Sequence, residues 1–191
     1  MHLRLIPFEG VRILAPAGKI NDCSCCSDIC CVGPRSTVLL RLKDIATLLD
    51  LGRSDLLTTQ KPRFGEDEQL SHPALRRHLA SDAWHTFPVL RQDSMGACAA
   101  LSRSGQCSLY PHWPLSCARF PYSLHADERE VFFSKRCESY WIRPGVDQRI
   151  EKMARAAVES YNERIRDAVL LEYARDRLGQ IGLLPFLAEQ P

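Results

Sequence analysis

The stretch Cys23-Ser24-Cys25-Cys26-Ser27-Asp28-Ile29-Cys30-Cys31 places five cysteines within nine residues. It closes a turn-rich segment that begins at Ala15, so the thiols sit on a loop rather than on a periodic helix or strand. Four more cysteines follow singly, at Cys98, Cys107, Cys117 and Cys137. Thiolates a few residues apart on a loop can converge on one metal, each sulfur about 2.3 Å from the ion in a tetrahedral array. Adjacent cysteines such as Cys30 and Cys31 are expected to point in different directions. They can serve different metals, or one can bind while the other packs. Ligation by thiolates alone selects zinc, Cu(I) or iron–sulfur clusters over magnesium or calcium. Buried free thiols acting as small hydrophobes would account for Cys98 taken alone, but poorly for five cysteines in nine residues.

Composition limits what surrounds this cluster. The chain has 191 residues, 45% hydrophobic and 25% charged, which is globular composition. Its length suits one domain, or one domain with an appended helical segment. A net charge of +2 argues for neither nucleic acid nor an anionic membrane surface as partner. Nine cysteines are about 5% of the chain, below the roughly 8–10% of a disulfide scaffold. The N-terminal stretch is broken by Arg4, Pro7, Glu9 and Arg12, so it lacks the run of about 7–15 apolar residues of a secretory signal. No segment approaches the roughly 20 apolar residues of a membrane span. Cytoplasmic location is the expectation, with reduced thiols in place of disulfides.

Outward from the cluster, residues 2–14 alternate loosely, as a short strand does. Val38–Leu40 reads as another, and Leu42–Leu51 as a helix with Ile45, Leu48 and Leu49 on one face and Gly52 as its terminator. Residues 53–71, with Pro62 and Gly65, read as a loop. A helix is expected over Pro73–Trp84, a strand over Phe87–Arg91, and loop and strand over Gly96–Ser108. Tyr122–Leu124 and Val131–Phe133 flank a charged turn holding Asp127, Glu128 and Glu130, which predicts a β-hairpin. Such a hairpin would bring Cys117 and Cys137 toward each other at its open end. Asp147–Leu178 carries apolar residues at steps of three and four and predicts a long amphipathic helix, whose length leaves room for a break near Asn162, with a stop at Gly179. Leu183–Leu187 reads as an apolar clasp folding back. No internal repeat is evident. The fold expected is α+β: a small irregular cysteine-rich core with short strands, stabilised by metal over residues 1–145 and flanked by helices. A C-terminal amphipathic helix, within 146–191, packs on it.

The segment Cys107-Ser108-Leu109-Tyr110-Pro111-His112-Trp113-Pro114-Leu115-Ser116-Cys117-Ala118-Arg119-Phe120-Pro121 adds a second kind of signal. Together with Cys23-x2-Cys26-x3-Cys30-Cys31, the helix start Leu42-Lys43-Asp44-Ile45 and Cys98, it resembles the YkgJ-type cysteine-cluster family, described as zinc- or iron-chelating. The resemblance covers about residues 20–142. It implies eight metal-ligating cysteines: Cys23, Cys26, Cys30, Cys31, Cys98, Cys107, Cys117 and Cys137, with Cys25 as the extra one. Two departures stand out. Three residues rather than two precede the Cys30-Cys31 pair, so Cys25 could replace Cys23 or Cys26, and Trp113 occupies the place of an arginine.

Eight thiolates would take the formal charge from +2 to about −6, and two divalent centres would return four of those charges. Arg35, Arg103, Arg119, Lys135 and Arg136 lie close enough in sequence to offset the rest. Arg119, two residues from Cys117, is the candidate cofactor-binding side chain. Tyr110 and Phe120 are expected in the core, and His112 and His125 as ordinary solvated histidines. No phosphate loop, H-E-x-x-H or G-x-S-x-G motif is present.

The leading expectation is therefore a metal-binding protein holding zinc or an iron–sulfur cluster. An iron–sulfur enzyme is the alternative, since a flagellin lysine methylase shares a similar cysteine cluster. A structural or interaction adaptor, with the C-terminal helix facing a partner, is the third. Cys117→Ser and Cys137→Ser should each lower metal content and soluble yield, while Cys25→Ser does neither.

Overall fold

The turn Ala126–Arg129 reverses the chain between two four-residue strands, here called β5 (Tyr122–His125) and β6 (Glu130–Phe133). They pair antiparallel with Tyr122 opposite Phe133 and His125 opposite Glu130. This is the hairpin the apolar runs predict. A computed structural model describes residues 4–14, 19–20, 30–32, 37–60, 87–133, 141–142 and 148–180. Cys23, Cys25, Cys26, Cys137, the helix expected over 73–84 and the clasp at 183–187 lie outside the described residues.

Strand β1 (Arg12–Leu14) runs parallel to β6, giving the order β1-β6-β5. Glu130 belongs to β6 and is buried there, ion-paired with Arg12, rather than sitting in the solvated turn. Two further pairs are antiparallel. One joins β2 (Lys19–Ile20) to β7 (Trp141–Ile142). The other joins β3 (Leu57–Gln60) to β4 (Phe87–Leu90), with Leu57 opposite Leu90. The described part is thus mixed α+β with small sheets and a C-terminal helix.

That helix covers the three-stranded sheet. Among the helices, α1 spans Leu42–Asp50, α2 spans Leu115–Ala118 and α3 spans Gln148–Gln180. Ile150, Ala154, Ala157 and Val158 recur at three- and four-residue steps on α3 and close on Ile6, Tyr122, Leu124 and Val131. Val131 and Ala154 are fully buried. The helix runs unbroken through Asn162, where its length left room for a break. The Asn162 side chain donates from Nδ2 to the Ile6 carbonyl (2.8 Å), and its Oδ1 accepts from the Ile6 N–H (2.9 Å). Its polar groups are thereby satisfied by a neighbouring segment and do not compete with the helix backbone.

A second core forms around Leu40, Leu48, Leu56, Leu90 and Leu109. Helix α1 begins as read from the sequence, and Gly52, at φ +67°, occupies the left-handed position just past its end. Residues 53–60 differ from the expected loop: a 3-10 turn over Ser54–Leu56 leads into β3. Burial of Leu56 and pairing with β4 supply the order that Pro62 and Gly65 obscured. Val38–Leu40 makes a shorter contact than a strand. Leu39 forms a single bridge to Val89, flanked by Leu40 N–H to Pro88 O (3.0 Å) and Leu90 N–H to Val38 O (3.1 Å).

Candidate metal centre

Cys98 and Cys107 occupy equivalent places in two consecutive tight loops, a tandem repeat that the sequence reading did not find. Asp93-Ser94-Met95-Gly96-Ala97-Cys98-Ala99-Ala100-Leu101 is followed directly by Ser102-Arg103-Ser104-Gly105-Gln106-Cys107-Ser108-Leu109-Tyr110. In the first loop Asp93 N–H bonds Ala97 O (2.8 Å), and in the second Ser102 N–H bonds Gln106 O (2.8 Å). Gly96 N–H bonds Asp93 O (3.1 Å), as Gly105 N–H bonds Ser102 O (3.0 Å). After each cysteine the chain turns again, through Leu101 N–H to Cys98 O (2.9 Å) and Tyr110 N–H to Cys107 O (3.2 Å). The isolated bridges Gln92–Cys98 and Leu101–Cys107 repeat as well.

The loops use different side chains for one task. Asp93 Oδ1 accepts from Ala97 N–H (2.9 Å), and Ser102 Oγ accepts from Gln106 N–H (3.1 Å). Gly96 and Gly105 have φ of +79° and +78°, which glycine adopts without steric cost. Each loop therefore presents one thiol at the start of a turn.

Two other cysteines lie near this pair. The Cys98 N–H donates to the Cys31 carbonyl at 2.8 Å, and Cys31 and Cys107 pack against the cluster that contains buried Cys98. Cys117 arrives on α2, which Asp44 secures. Asp44 Oδ2 accepts from Arg41 N–H (2.8 Å) at the start of α1, and its Oδ1 accepts from Leu115 N–H (3.0 Å) at the start of α2. Ser116 Oγ donates to Leu39 O (2.6 Å). One buried carboxylate thus ties both helix starts together, two residues from Cys117.

Electrostatics links the four thiols. The Cys117 thiol is held well above its ordinary range, first by burial and then by the charges that Cys31, Cys98, Cys107 and Asp44 would carry. Burial also pushes Cys98 up, while the backbone N–H of Ala100 and of Leu101 offset this by favouring the thiolate. Cys31 moves the other way, to about 7, because Cys30 hydrogen-bonds its sulfur. Asp44 is raised by burial, against the two backbone N–H groups and the Arg41 guanidinium that favour its charge. Among the described residues, no three Cys, His, Asp or Glu side chains converge closely enough to hold an ion as they stand.

Of the expected ligands, then, Cys31, Cys98, Cys107 and Cys117 share one neighbourhood, Cys30 is exposed beside Cys31, and Cys23, Cys26 and Cys137 lie outside the described residues. Arg119 is engaged with β5: Nη1 donates to Tyr122 O (2.9 Å) and Ser123 Oγ (2.8 Å). Arg103 is exposed, and Arg35, Lys135 and Arg136 are outside the described set. Tyr110, expected in the core, is 69% exposed. Leu109 takes the buried place in that turn, and Tyr110 meets Trp113 edge to face at 5.2 Å on the surface.

The sequence reading missed the buried pair Arg41 and Asp44 as parts of the site. The one available signal was Asp44 in the first turn of α1, placed where a reciprocal cap is made. Beside it, Lys43, Asp44, Thr47, His112, Trp113 and Glu159 line part of a cleft of ≈ 220 Å³. No described helix is long and apolar enough to cross a membrane. Comparison with known proteins finds no family model, no curated protein and no solved structure that matches this chain.

Proposed function

We propose that this chain is a cytoplasmic metal-binding protein that holds zinc or an iron–sulfur cluster through its cysteines. The observation that carries the reading is that Cys31, Cys98 and Cys107 belong to or pack against one core, with the Cys117 thiol close enough to feel their charges. Four neighbouring thiols of which two are raised by burial form a poor resting place for free thiolates, and a good donor set for a soft cation. Cys23, Cys26, Cys30 and Cys137 complete the proposed ligand set, with Arg119 as the cation nearest Cys117 in sequence. When bound, the metal would supply cross-links between loops and take up the thiolate charge. The chain's own part is to place the sulfurs and exclude water with Leu109, Leu115 and Ala100, all buried.

An iron–sulfur cluster is favoured slightly over zinc, because two sets of four thiolates suit clusters held by four cysteines each. Purification under anaerobic, reducing conditions tests this. Brown protein with broad absorption near about 400 nm supports iron–sulfur, through thiolate-to-iron charge transfer. Colourless protein with stoichiometric zinc supports zinc. A folded chain carrying neither, and taking up neither on reconstitution, overturns the proposal. A second reading, an iron–sulfur enzyme, draws on the cleft beside the start of α2, which leaves room for a small molecule though no cysteine lines it.

A further inference from the structure

Cys30 and Cys31 are neighbours in sequence and differ in setting. Cys31 is half-buried against the second core, and its carbonyl accepts from the Cys98 N–H at 2.8 Å, which ties this point of the chain to the first tandem loop. Cys30 is exposed. Adjacent cysteines were expected to diverge, yet these two side chains meet: the Cys30 thiol donates a hydrogen bond to the Cys31 sulfur. A touching pair of thiols therefore has one member open to reagents in solvent and one held beside it by the core.

We propose that Cys30 and Cys31 form a thiol–disulfide exchange site: a small-molecule disulfide adds at Cys30, and Cys31 resolves the adduct into a Cys30–Cys31 disulfide. The Cys30 sulfur, its proton lost to solvent, attacks one sulfur of the incoming disulfide. That S–S bond breaks, and the departing thiolate takes up a proton and leaves as a thiol. The Cys31 sulfur then attacks the Cys30 sulfur and displaces the second small thiol, to which the Cys31 proton passes. Two protein thiols are oxidised by two electrons, and the reagent is reduced to two thiols. The product is strained, because Cα atoms across a trans peptide lie about 3.8 Å apart, short of the roughly 4.4–6.8 Å that disulfides span. Strain and exposure make such a bond easy to reduce, which suits a reversible switch better than a structural cross-link. The site goes beyond the metal-binding reading and stands without it, since the exchange needs only the two thiols.

The test uses the full-length chain, reduced and treated with a chelator, then equilibrated with glutathione and a rising fraction of glutathione disulfide. Free thiols are alkylated with iodoacetamide, the chain is cleaved before its aspartates, and the peptides are weighed by mass spectrometry. Cleavage before Asp28 and Asp44 releases residues 28–43, which contain Cys30 and Cys31 and no other cysteine. The expected result is that this peptide passes through a glutathione adduct at Cys30. It then loses both alkyl groups together with two hydrogens, joined to no other peptide. Return to glutathione alone restores both alkyl groups. In Cys31→Ser the adduct at Cys30 becomes the lasting product, and in Cys30→Ser half-buried Cys31 takes up glutathione more slowly than Cys30 does. A peptide that stays doubly alkylated while other cysteines oxidise, or that is recovered cross-linked to another segment, overturns the proposal. Equal adduct formation in the two variants overturns the order of attack, and a bond that glutathione does not reopen overturns the switch.

Discussion

Around Tyr122 and Val131 the chain buries side chains delivered by a hairpin and a long helix. Around Leu48 and Leu109 it buries side chains delivered by a nine-residue helix, one short strand pair and a series of tight turns. The first core follows from hydrophobic periodicity and holds no cysteine among its described residues. The second draws much of its framework from loops, buries Cys98 and packs Cys31 and Cys107 against it. A core made of regular elements satisfies its backbone within those elements, whereas a core made of turns relies on individual contacts such as Asp44, Ser102 and Ser116. The turn-built half is therefore where a bound metal would contribute most.

Metal removal gives the largest expected effect and the sharpest form of this contrast. Structural zinc stabilises small turn-rich domains by amounts on the order of 10 kcal/mol. Chelation should cut amide exchange protection over residues 98–110 and 115–118 by at least about a hundredfold, roughly 3 kcal/mol. Residues 122–125, 130–133 and 150–165 should keep theirs. Hydrogen exchange with and without chelator checks this, and a uniform loss over both halves would erase the distinction.

The converse substitution lies in the regular core. Tyr122 is 1% exposed and meets Phe133 edge to face at 5.7 Å. Tyr122→Ala should cost about 3–5 kcal/mol by leaving a cavity under α3. Denaturant unfolding reads that loss, while metal bound per folded chain stays unchanged. Metal loss in step with stability would show that the two cores do not act separately.

The same contrast explains what was legible in the sequence. Helix α1, the β5–β6 hairpin and α3 each carry several apolar residues at a fixed period, and all three lie where the pattern puts them. The tandem loop carries almost no such signal. Its two copies share glycine and cysteine but use aspartate in one and serine in the other for the same bond. What repeats is backbone geometry, which residue identity reports only through Gly96 and Gly105. The cysteines were legible as a group because thiols are rare. Their grouping was not, since Cys31 reaches Cys98 through a backbone bond spanning 67 residues of sequence separation. Tyr110 was misplaced because its segment reads as apolar while only Leu109 turns inward.

Two glycines refine the comparison at a smaller energy. Gly105 in the second loop and Gly10 before β1 have φ of +78° and +80°, and a Cβ at either meets nothing within 4 Å. Gly105→Ala and Gly10→Ala should therefore each cost about 1–2 kcal/mol, from backbone strain alone. Only Gly105→Ala should also speed zinc release to a chelator, because it distorts the loop that aims Cys107. Equal release rates in the two variants would mean that loop geometry does not position the sulfur.

The smallest effect concerns the junction where α3 meets α1. Asp167 Oδ2 accepts from Leu42 N–H at 3.1 Å, and burial raises its carboxyl above the usual range. That hydrogen bond and the Arg41 guanidinium act in the opposite direction, while Glu163 and Asp44 add to the rise. The sign follows from linkage. Between the ordinary aspartate pKa and the raised folded value, the native chain holds a proton that the unfolded chain has released. Stability from this group is greatest below the ordinary value and falls as pH rises through that window, then levels off. Asp167→Asn keeps an oxygen for Leu42 but cannot ionise, so its stability should be flatter with pH across the window. Buried Asp44 follows the same sign and remains in the variant, so part of the slope persists. Urea unfolding of wild type and Asp167→Asn from acid to neutral pH measures the difference. A wild-type slope of the opposite sign, removed by the substitution, would mean that attraction to Arg41 outweighs burial at this junction.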